Sequence, residues 1–156
     1  MAKQIKYSDD ARNQIFLGIE MVAKAVMVTM GPKGRNVIIE KSYGAPTVTN
    51  DGVSIVKEIE FEDKFLNIGA NLSKEAASKT NESAGDGTTT ATALTYAVSK
   101  DGLRYIKSGV NPFSLSRGLH KAVEKVVEEL AMKSKTIKSK EEIKQVAALS
   151  AQDEEV

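Results

Sequence analysis

The chain has no cysteine and no tryptophan, and only 3 prolines in 156 residues. Without cysteine, disulfide staples, thiolate metal sites and cysteine nucleophiles are all excluded, and the composition fits a reducing compartment. Aromatic residues make up 5% of the sequence, so a core must be assembled from Ala, Val, Ile and Leu. No apolar run approaches the ~20 residues that a membrane-spanning helix needs, and Met1-Ala2-Lys3-Gln4 does not begin a secretory signal. Charge of one sign is lacking too: 22 basic residues face 21 acidic ones, for a net charge of +1. That balance supplies no field for nucleic acid or an acidic membrane surface, so neither is an expected partner. The one histidine, His120, lies on a helical pattern without a metal-ligating partner and reads as a surface residue.

What is present is 41% apolar and 28% charged residues, the proportions of a globular domain long enough to bury a core. Its most informative stretch is Gly85-Asp86-Gly87-Thr88-Thr89-Thr90, which opens an alanine-rich helical pattern. Glycines on both sides of a carboxylate allow a sharp turn and close approach of a ligand to the backbone. The unpaired N–H groups and positive dipole end of the helix start favour a phosphate. Thr88, Thr89 and Thr90 offer hydroxyls that cap the helix or reach a phosphate oxygen. Asp86 is a candidate Mg²⁺ ligand, since that ion needs only one or two protein carboxylates beside phosphate oxygens and water. Six residues of this kind also serve as an ordinary loop closing on a helix cap, so both readings stand on the motif alone.

Elsewhere the pattern is mainly helical with one small hairpin. Ser8 is an expected N-cap for a helix over 8–30, with Ala11, Ile15, Ile19, Val22 and Val26 as its buried stripe and Gly31-Pro32 as its stop. Asn36 to Glu40 and Thr47 to Thr49 read as strands around the loop from Ser42 to Pro46. A lone hairpin is marginal in water, so a further strand is expected, from Met1 to Tyr7 or from a neighbouring subunit. After Asn50-Asp51-Gly52, residues 53–57 form a short helical or extended piece. A long helix is expected over 63–83, with Phe65, Ile68, Leu72, Ala76 and Ala77 inward and Gly69-Ala70 admitting a close neighbour. The helix from Thr88 runs to Ile106 and stops at Ser108-Gly109. Asn111-Pro112 starts another, to about Met132, with Leu115, Leu119, Val123, Val126, Val127 and Leu130 on one side. A basic connector over 133–140 and a helix over 141–147 follow, and residues 150–156 end without a terminating structure.

Taken together these segments resemble the start of a group I chaperonin, the GroEL-like family. The resemblance lies in Thr29-Met30-Gly31-Pro32-Lys33-Gly34-Arg35-Asn36-Val37, Gly44-Ala45-Pro46-Thr47-Val48-Thr49, Asp51-Gly52-Val53-Ser54, Glu62-Asp63-Lys64-Phe65, Asn67-Ile68-Gly69-Ala70 and Ala84-Gly85-Asp86-Gly87-Thr88-Thr89-Thr90-Ala91-Thr92. Asn111-Pro112, Arg117-Gly118 and Lys121-Ala122-Val123 continue it in register. It implies that residues 1–132 are the N-terminal half of an equatorial ATP-binding domain and 133–156 a connector and hinge start. The apical domain and the second equatorial half would then be absent, as in a truncated piece or gene fragment.

Thr29, Met30, Gly31 and Pro32 match the family's first ATP-contacting loop; Asp86 matches its Mg²⁺ ligand, and Gly87, Thr88, Thr89 and Thr90 its phosphate contacts. Thr29 and Thr89 match positions near a K⁺ site. Asp51 matches a carboxylate that supports hydrolysis beside a water-activating aspartate from further along the family chain. Asn50 stands where GroEL-like chains carry lysine, which weakens the charge contact to phosphate, and His120 stands where they carry an acidic residue.

The resemblance further implies an ATPase that folds non-native client proteins in a double-ring homo-oligomer closed by a co-chaperonin lid. It implies no activity for this chain alone, and the lack of a transit segment at the start favours a bacterial cytoplasm over a mitochondrial or plastid matrix. Two other readings are weighed beside it. One is a non-catalytic, chaperonin-like module that packs with partner subunits. The other is an unrelated phosphoryl-transfer enzyme, disfavoured because no GxxxxGK[ST] loop is present.

Overall fold

The computed structural model describes residues 3–41 and 43–151. Its elements run α1 (Ser8–Met27), β1 (Val37–Ile39), β2 (Thr47–Thr49), α2 (Gly52–Glu58), α3 (Lys64–Ala84), α4 (Thr88–Lys107), α5 (Pro112–Lys133) and α6 (Lys140–Ala151). The architecture is mainly helical with one two-stranded antiparallel sheet, as expected. It separates into two units, Met1–Arg104 and Tyr105–Val156. No helix among the described residues is long and apolar enough to cross a membrane.

The first unit is built on α1 crossing α3. The stripe predicted for α1 is the one that packs: Ile19, Val22 and Val26 are buried, while Ala11 and Ile15 are half-buried. The face of α3 differs from expectation. It buries Phe65, Gly69, Ala70, Ser73 and Ala77, whereas Ile68 and Leu72 are 44% and 46% exposed and Ala76 is half-buried. The cause is a backbone-to-backbone crossing. A Cβ on Gly69 would run into the Ile15 carbonyl oxygen and stand 3.0 Å from Gly18 Cα; one on Gly18 would run into the Leu66 carbonyl. The close neighbour expected at Gly69-Ala70 is therefore α1, and small residues take the interface because only they admit it.

Below the crossing lies a core of Val22, Val26, Ile55, Val56, Ala70 and Ala77, flanked by Ala25, Val37, Ile39, Ile59 and Phe61. The short helix α2 is one of its walls, through the fully buried Ile55 and the nearly buried Val56. The hairpin pairs Val37 with Thr49, Ile38 with Val48 and Ile39 with Thr47. Val37 and Ile39 face the core, while Ile38 and Val48 face out, the period-2 alternation of a half-buried ribbon. Lys3 to Tyr7 form no strand, because the chain there leads straight into α1. Met1, Ala2 and the loop residue Ser42 lie outside the described residues.

Helix ends follow the cap chemistry at α3 and α5. The Asp63 carboxylate accepts from the Phe65 and Leu66 N–H groups, which hold its pKa down. Asn111 accepts from Phe113 and Ser114 N–H, with Pro112 in the first turn. Gly109, at φ 95°, ends α4. The start of α1 departs from expectation. Its N-cap is Tyr7, without a side-chain cap bond, and Ser8 takes φ 52°. Lys6 donates to Gln14 at 2.5 Å and lies 4.8 Å over the Phe65 ring, so the incoming chain is held across α3 and the turn falls at Ser8. At its other end α1 stops at Met27, short of Met30, where the Thr29 and Met30 N–H groups tighten onto the Val26 and Met27 carbonyls.

In the second unit, the stripe expected on one side of α5 is largely exposed: Leu119, Val123, Val126, Val127 and Leu130 show 39–61% of their surface, and Leu115 is half-buried. The stripe exists as an amphipathic pattern without cover from the described residues of this unit. The connector shrinks to 134–139, and α6 runs to Ala151 rather than stopping near Ala147. A capping box starts α6: Ser139 Oγ accepts from Glu142 N–H, and the Glu142 carboxylate accepts from the Ser139 and Lys138 N–H groups. These bonds and Lys135 hold the Glu142 carboxyl below its ordinary pKa. Residues 152–156 lie outside the described residues, and with them most of the unterminated tail expected from Ser150.

Candidate functional site

Three loops of the first unit carry the predicted site residues. The first is the turn after α1, where the Thr29 hydroxyl donates to the Val26 carbonyl at 2.8 Å and Gly31 takes φ 76°. Arg35 N–H bonds back to the Val28 carbonyl at 2.9 Å, closing the loop over Met30, Gly31 and Pro32, all exposed. Val26 anchors this turn, because it sits in the same core as Ile55 and Val56 of α2.

The second loop leads into α2. Asn50 and Asp51 are exposed, and Asp51 is the N-cap. Its Oδ2 accepts from Ser54 N–H at 2.8 Å and from the Ser54 hydroxyl at 2.6 Å, while its own N–H donates to Thr49 Oγ1 at 3.0 Å. Partial burial pushes the Asp51 carboxyl up, but the Ser54 hydroxyl, the Ser54 and Val53 N–H groups and Lys57 outweigh it and hold its pKa below the ordinary value. The result is an ionised, oriented carboxylate. Lowered basicity suits it to hold a water or a charge in place better than to take a proton alone.

The third loop joins α3 to α4. Gly85 closes α3 at φ 71°, its N–H on the Asn81 carbonyl, and Gly87 takes φ 82°. Both glycines are left-handed, the conformation that L side chains adopt reluctantly, so the sequence signal there was a backbone requirement. Between them Asp86 is exposed, with Oδ1 accepting from Gly87 N–H at 2.6 Å. Thr88 is buried, Thr89 half-buried and Thr90 exposed at the first turn of α4, where N–H groups have no intrahelical acceptor. Deeper in α4, Tyr96 stacks on Phe16 and its hydroxyl donates to Glu20, which also pairs with Lys24 at 3.0 Å. Those contacts tie α4 to α1 at Tyr96.

The second and third loops meet directly. Gly52 is buried against Thr89: a Cβ there would run into Thr89 Oγ1 and lie 3.2 Å from its Cα. Asp51 is thereby carried to the first turn of α4, although Asp86 and the threonines lie 35 or more positions further along the sequence. No group of three or more His, Cys, Asp or Glu side chains fit to hold a metal ion occurs among the described residues. A divalent ion here would rest on Asp86 with phosphate oxygens and water, the donor set that Mg²⁺ accepts.

The model of the TCP-1/cpn60 chaperonin family matches residues 22–155, which include all three loops. The chain belongs to that family. Chaperonins act in general as oligomeric assemblies on client proteins, and this chaperonin chain carries its three loops on the helices just described.

Two participants in this candidate site have no assigned role in the sequence reading. Ser54 orients the Asp51 carboxylate, and its signal was the Asp-x-x-Ser spacing of a cap with a hydroxyl at the receiving position. Gly52 was read as part of a turn and of the Asp51-Gly52-Val53-Ser54 stretch but given no role, since nothing local in the sequence reveals a residue packed against it from α4.

Proposed function

We propose that this chain is the N-terminal nucleotide-binding segment of an ATP-dependent chaperonin of the group I, GroEL-like kind, which encloses non-native polypeptides and prevents their misfolding. The observation that carries the reading is the seat of Gly52 on Thr89, because it sets an oriented carboxylate beside a helix start fit for phosphate. In this reading the first-turn amides of α4 and the hydroxyls of Thr88, Thr89 and Thr90 hold the phosphate oxygens. Asp86 holds Mg²⁺, which when bound neutralises charge on the phosphates. Thr29, Met30, Gly31 and Pro32 line the nucleotide from the turn after α1, and Thr29 and Thr89 sit near a K⁺ ion. Asp51 orients the attacking water, together with an aspartate supplied from elsewhere in the intact chaperonin. Asn50 offers a neutral hydrogen bond where a lysine would offer charge.

Calorimetry of Mg²⁺-ATP binding to this chain, with Asp86→Ala as control, tests the reading. Saturable binding that the substitution abolishes is the expected result. A folded chain that binds no nucleotide overturns the reading for this chain.

A second reading, an interaction module that packs with other chaperonin subunits, is favoured by the exposed apolar stripe of α5. It predicts association that Mg²⁺-ATP does not change. A monomer by light scattering at all concentrations would remove it.

A further inference from the structure

Five described glycines take a positive φ, and Gly52 is not among them. It is the first residue of α2, after the extended N-cap Asp51, and it takes no positive φ, so its backbone asks for no glycine. By propensity alone an alanine there would favour the helix by up to about 1 kcal/mol. What forbids the alanine is space. The missing Cβ would overlap Thr89 Oγ1 and stand 3.2 Å from both Thr89 Cα and Thr89 Cβ. A helical threonine divides between two χ1 rotamers, so it relieves such an overlap by turning its hydroxyl away, or by moving the helix that carries it.

From this we infer that Gly52 is the positioning residue of the site: its bare Cα is the surface against which the Thr89 hydroxyl is set, and through it Asp51 and the first turn of α4 hold a fixed separation. The inference rests on the nucleotide reading above and deepens it. Gly52 need not touch nucleotide. It acts through Thr89, whose hydroxyl it keeps in one rotamer, and through Asp51, the next residue in the chain. Ser54 locks the Asp51 carboxylate from the α2 side, so the seat on Thr89 is what relates that locked carboxylate to α4.

The test uses Gly52→Ala, Thr89→Ala and the double variant, with Gly118→Ala as control because a Cβ at Gly118 meets nothing within 4 Å. Two readouts are taken: the Kd for Mg²⁺-ATP by calorimetry, and the Thr89 χ1 rotamer from three-bond NMR couplings to its methyl carbon. Gly52→Ala is expected to weaken Mg²⁺-ATP by ~10-fold or more, the loss of one well-placed hydrogen bond to a charged group, and to change the Thr89 couplings. Thr89→Ala is expected to weaken binding as well, and adding Gly52→Ala to it should change Kd less than about 3-fold, since the two act as a unit. Gly118→Ala should match the parent chain.

A Gly52→Ala variant with the parent's Kd and the parent's Thr89 couplings overturns the proposal. So does an equal loss from Gly52→Ala in both backgrounds, which would place its effect in the backbone. Should Gly52→Ala fail to fold, the double variant decides: recovery of the fold supports the clash with Thr89, and continued failure refutes it. If the parent chain binds no Mg²⁺-ATP, the nucleotide reading fails on its own account. The couplings then judge Gly52 alone, with an unchanged rotamer overturning the proposal and an altered one supporting it.

Discussion

Truncating Ile55 should show how far the site depends on a core of few large residues. Ile55 is fully buried among Val22, Val26, Val56, Ala70 and Ala77, and it belongs to a helix of only 7 residues. A helix that short has no stability of its own in water, so α2 holds its shape by what Ile55 and Val56 bury. Ile55→Val removes one methyl group and should destabilise by ~1 kcal/mol; Ile55→Ala leaves a larger cavity and should destabilise by about 3–4 kcal/mol. The neighbours that could collapse into that cavity are held by the Gly18–Gly69 crossing, where helix backbones already touch, so relaxation is limited. Urea titration followed by circular dichroism reads the change as a shift in midpoint at constant m. Val48→Ala is the control, because Val48 is 59% exposed on the outer face of the hairpin; its effect should stay within ~0.5 kcal/mol. If Ile55→Ala moved the midpoint no more than Val48→Ala, α2 would not be anchored in this core, and the argument that the core delivers Asp51 to α4 would fall with it.

Further expectations are equally direct. Gly69→Ala gains helix propensity but drives a methyl into the Ile15 carbonyl, and overpacking against backbone should win by ~1–3 kcal/mol, read as a lowered urea midpoint. Asn111→Ala removes a cap that serves two N–H groups and should cost α5 about 1 kcal/mol, seen as earlier loss of protection in hydrogen exchange across its first turn. Asp51 has a depressed folded pKa, so its contribution is complete above the unfolded value of about 3.9 and is lost as pH falls through the lower folded value. Asp51→Asn keeps a cap while removing the titration. The gap in urea midpoint between parent and variant should therefore be present at pH 7 and shrink in acid; a gap that widened in acid would contradict the assignment.

What could be read without coordinates was whatever is written in local chemistry. The stripe from Ala11 to Val26, the helix start at Asn111 and the stop at Gly109 each rest on a few neighbouring residues, and each stands as read. So does the left-handed pair Gly85 and Gly87, since a glycine on either side of an exposed carboxylate declares a turn. The misread face of α3 has the opposite origin. Hydrophobicity ranks Ile68 and Leu72 above Gly69 and Ser73, yet the crossing with α1 selects for smallness, a property of the partner's backbone. The Ser8 cap failed for a similar reason: Lys6 ties the incoming chain to Phe65 and Gln14, contacts across elements that no local pattern announces. On α5 the periodicity put one stripe on one side and left its burial open, because a stripe specifies that it seeks cover without saying what supplies it.

The hydroxyls of the helices around the site carry a consequence of their own. Thr92 is fully buried in α4, and its Oγ1 donates to the Thr88 carbonyl one turn back; Thr95 does the same to Ala91, Thr80 to Ala76 and Ser73 to Gly69. Each polar group is satisfied by its own helix and asks nothing of the helix opposite. Among the described residues no buried side-chain nitrogen or oxygen is left without a partner. At these four positions one helix can slip along another without stranding the bond, whereas the Tyr96–Glu20 bond does tie α4 to α1. A polar side chain bonded one turn back travels with its own backbone, so a small shift of that helix strands none of these bonds.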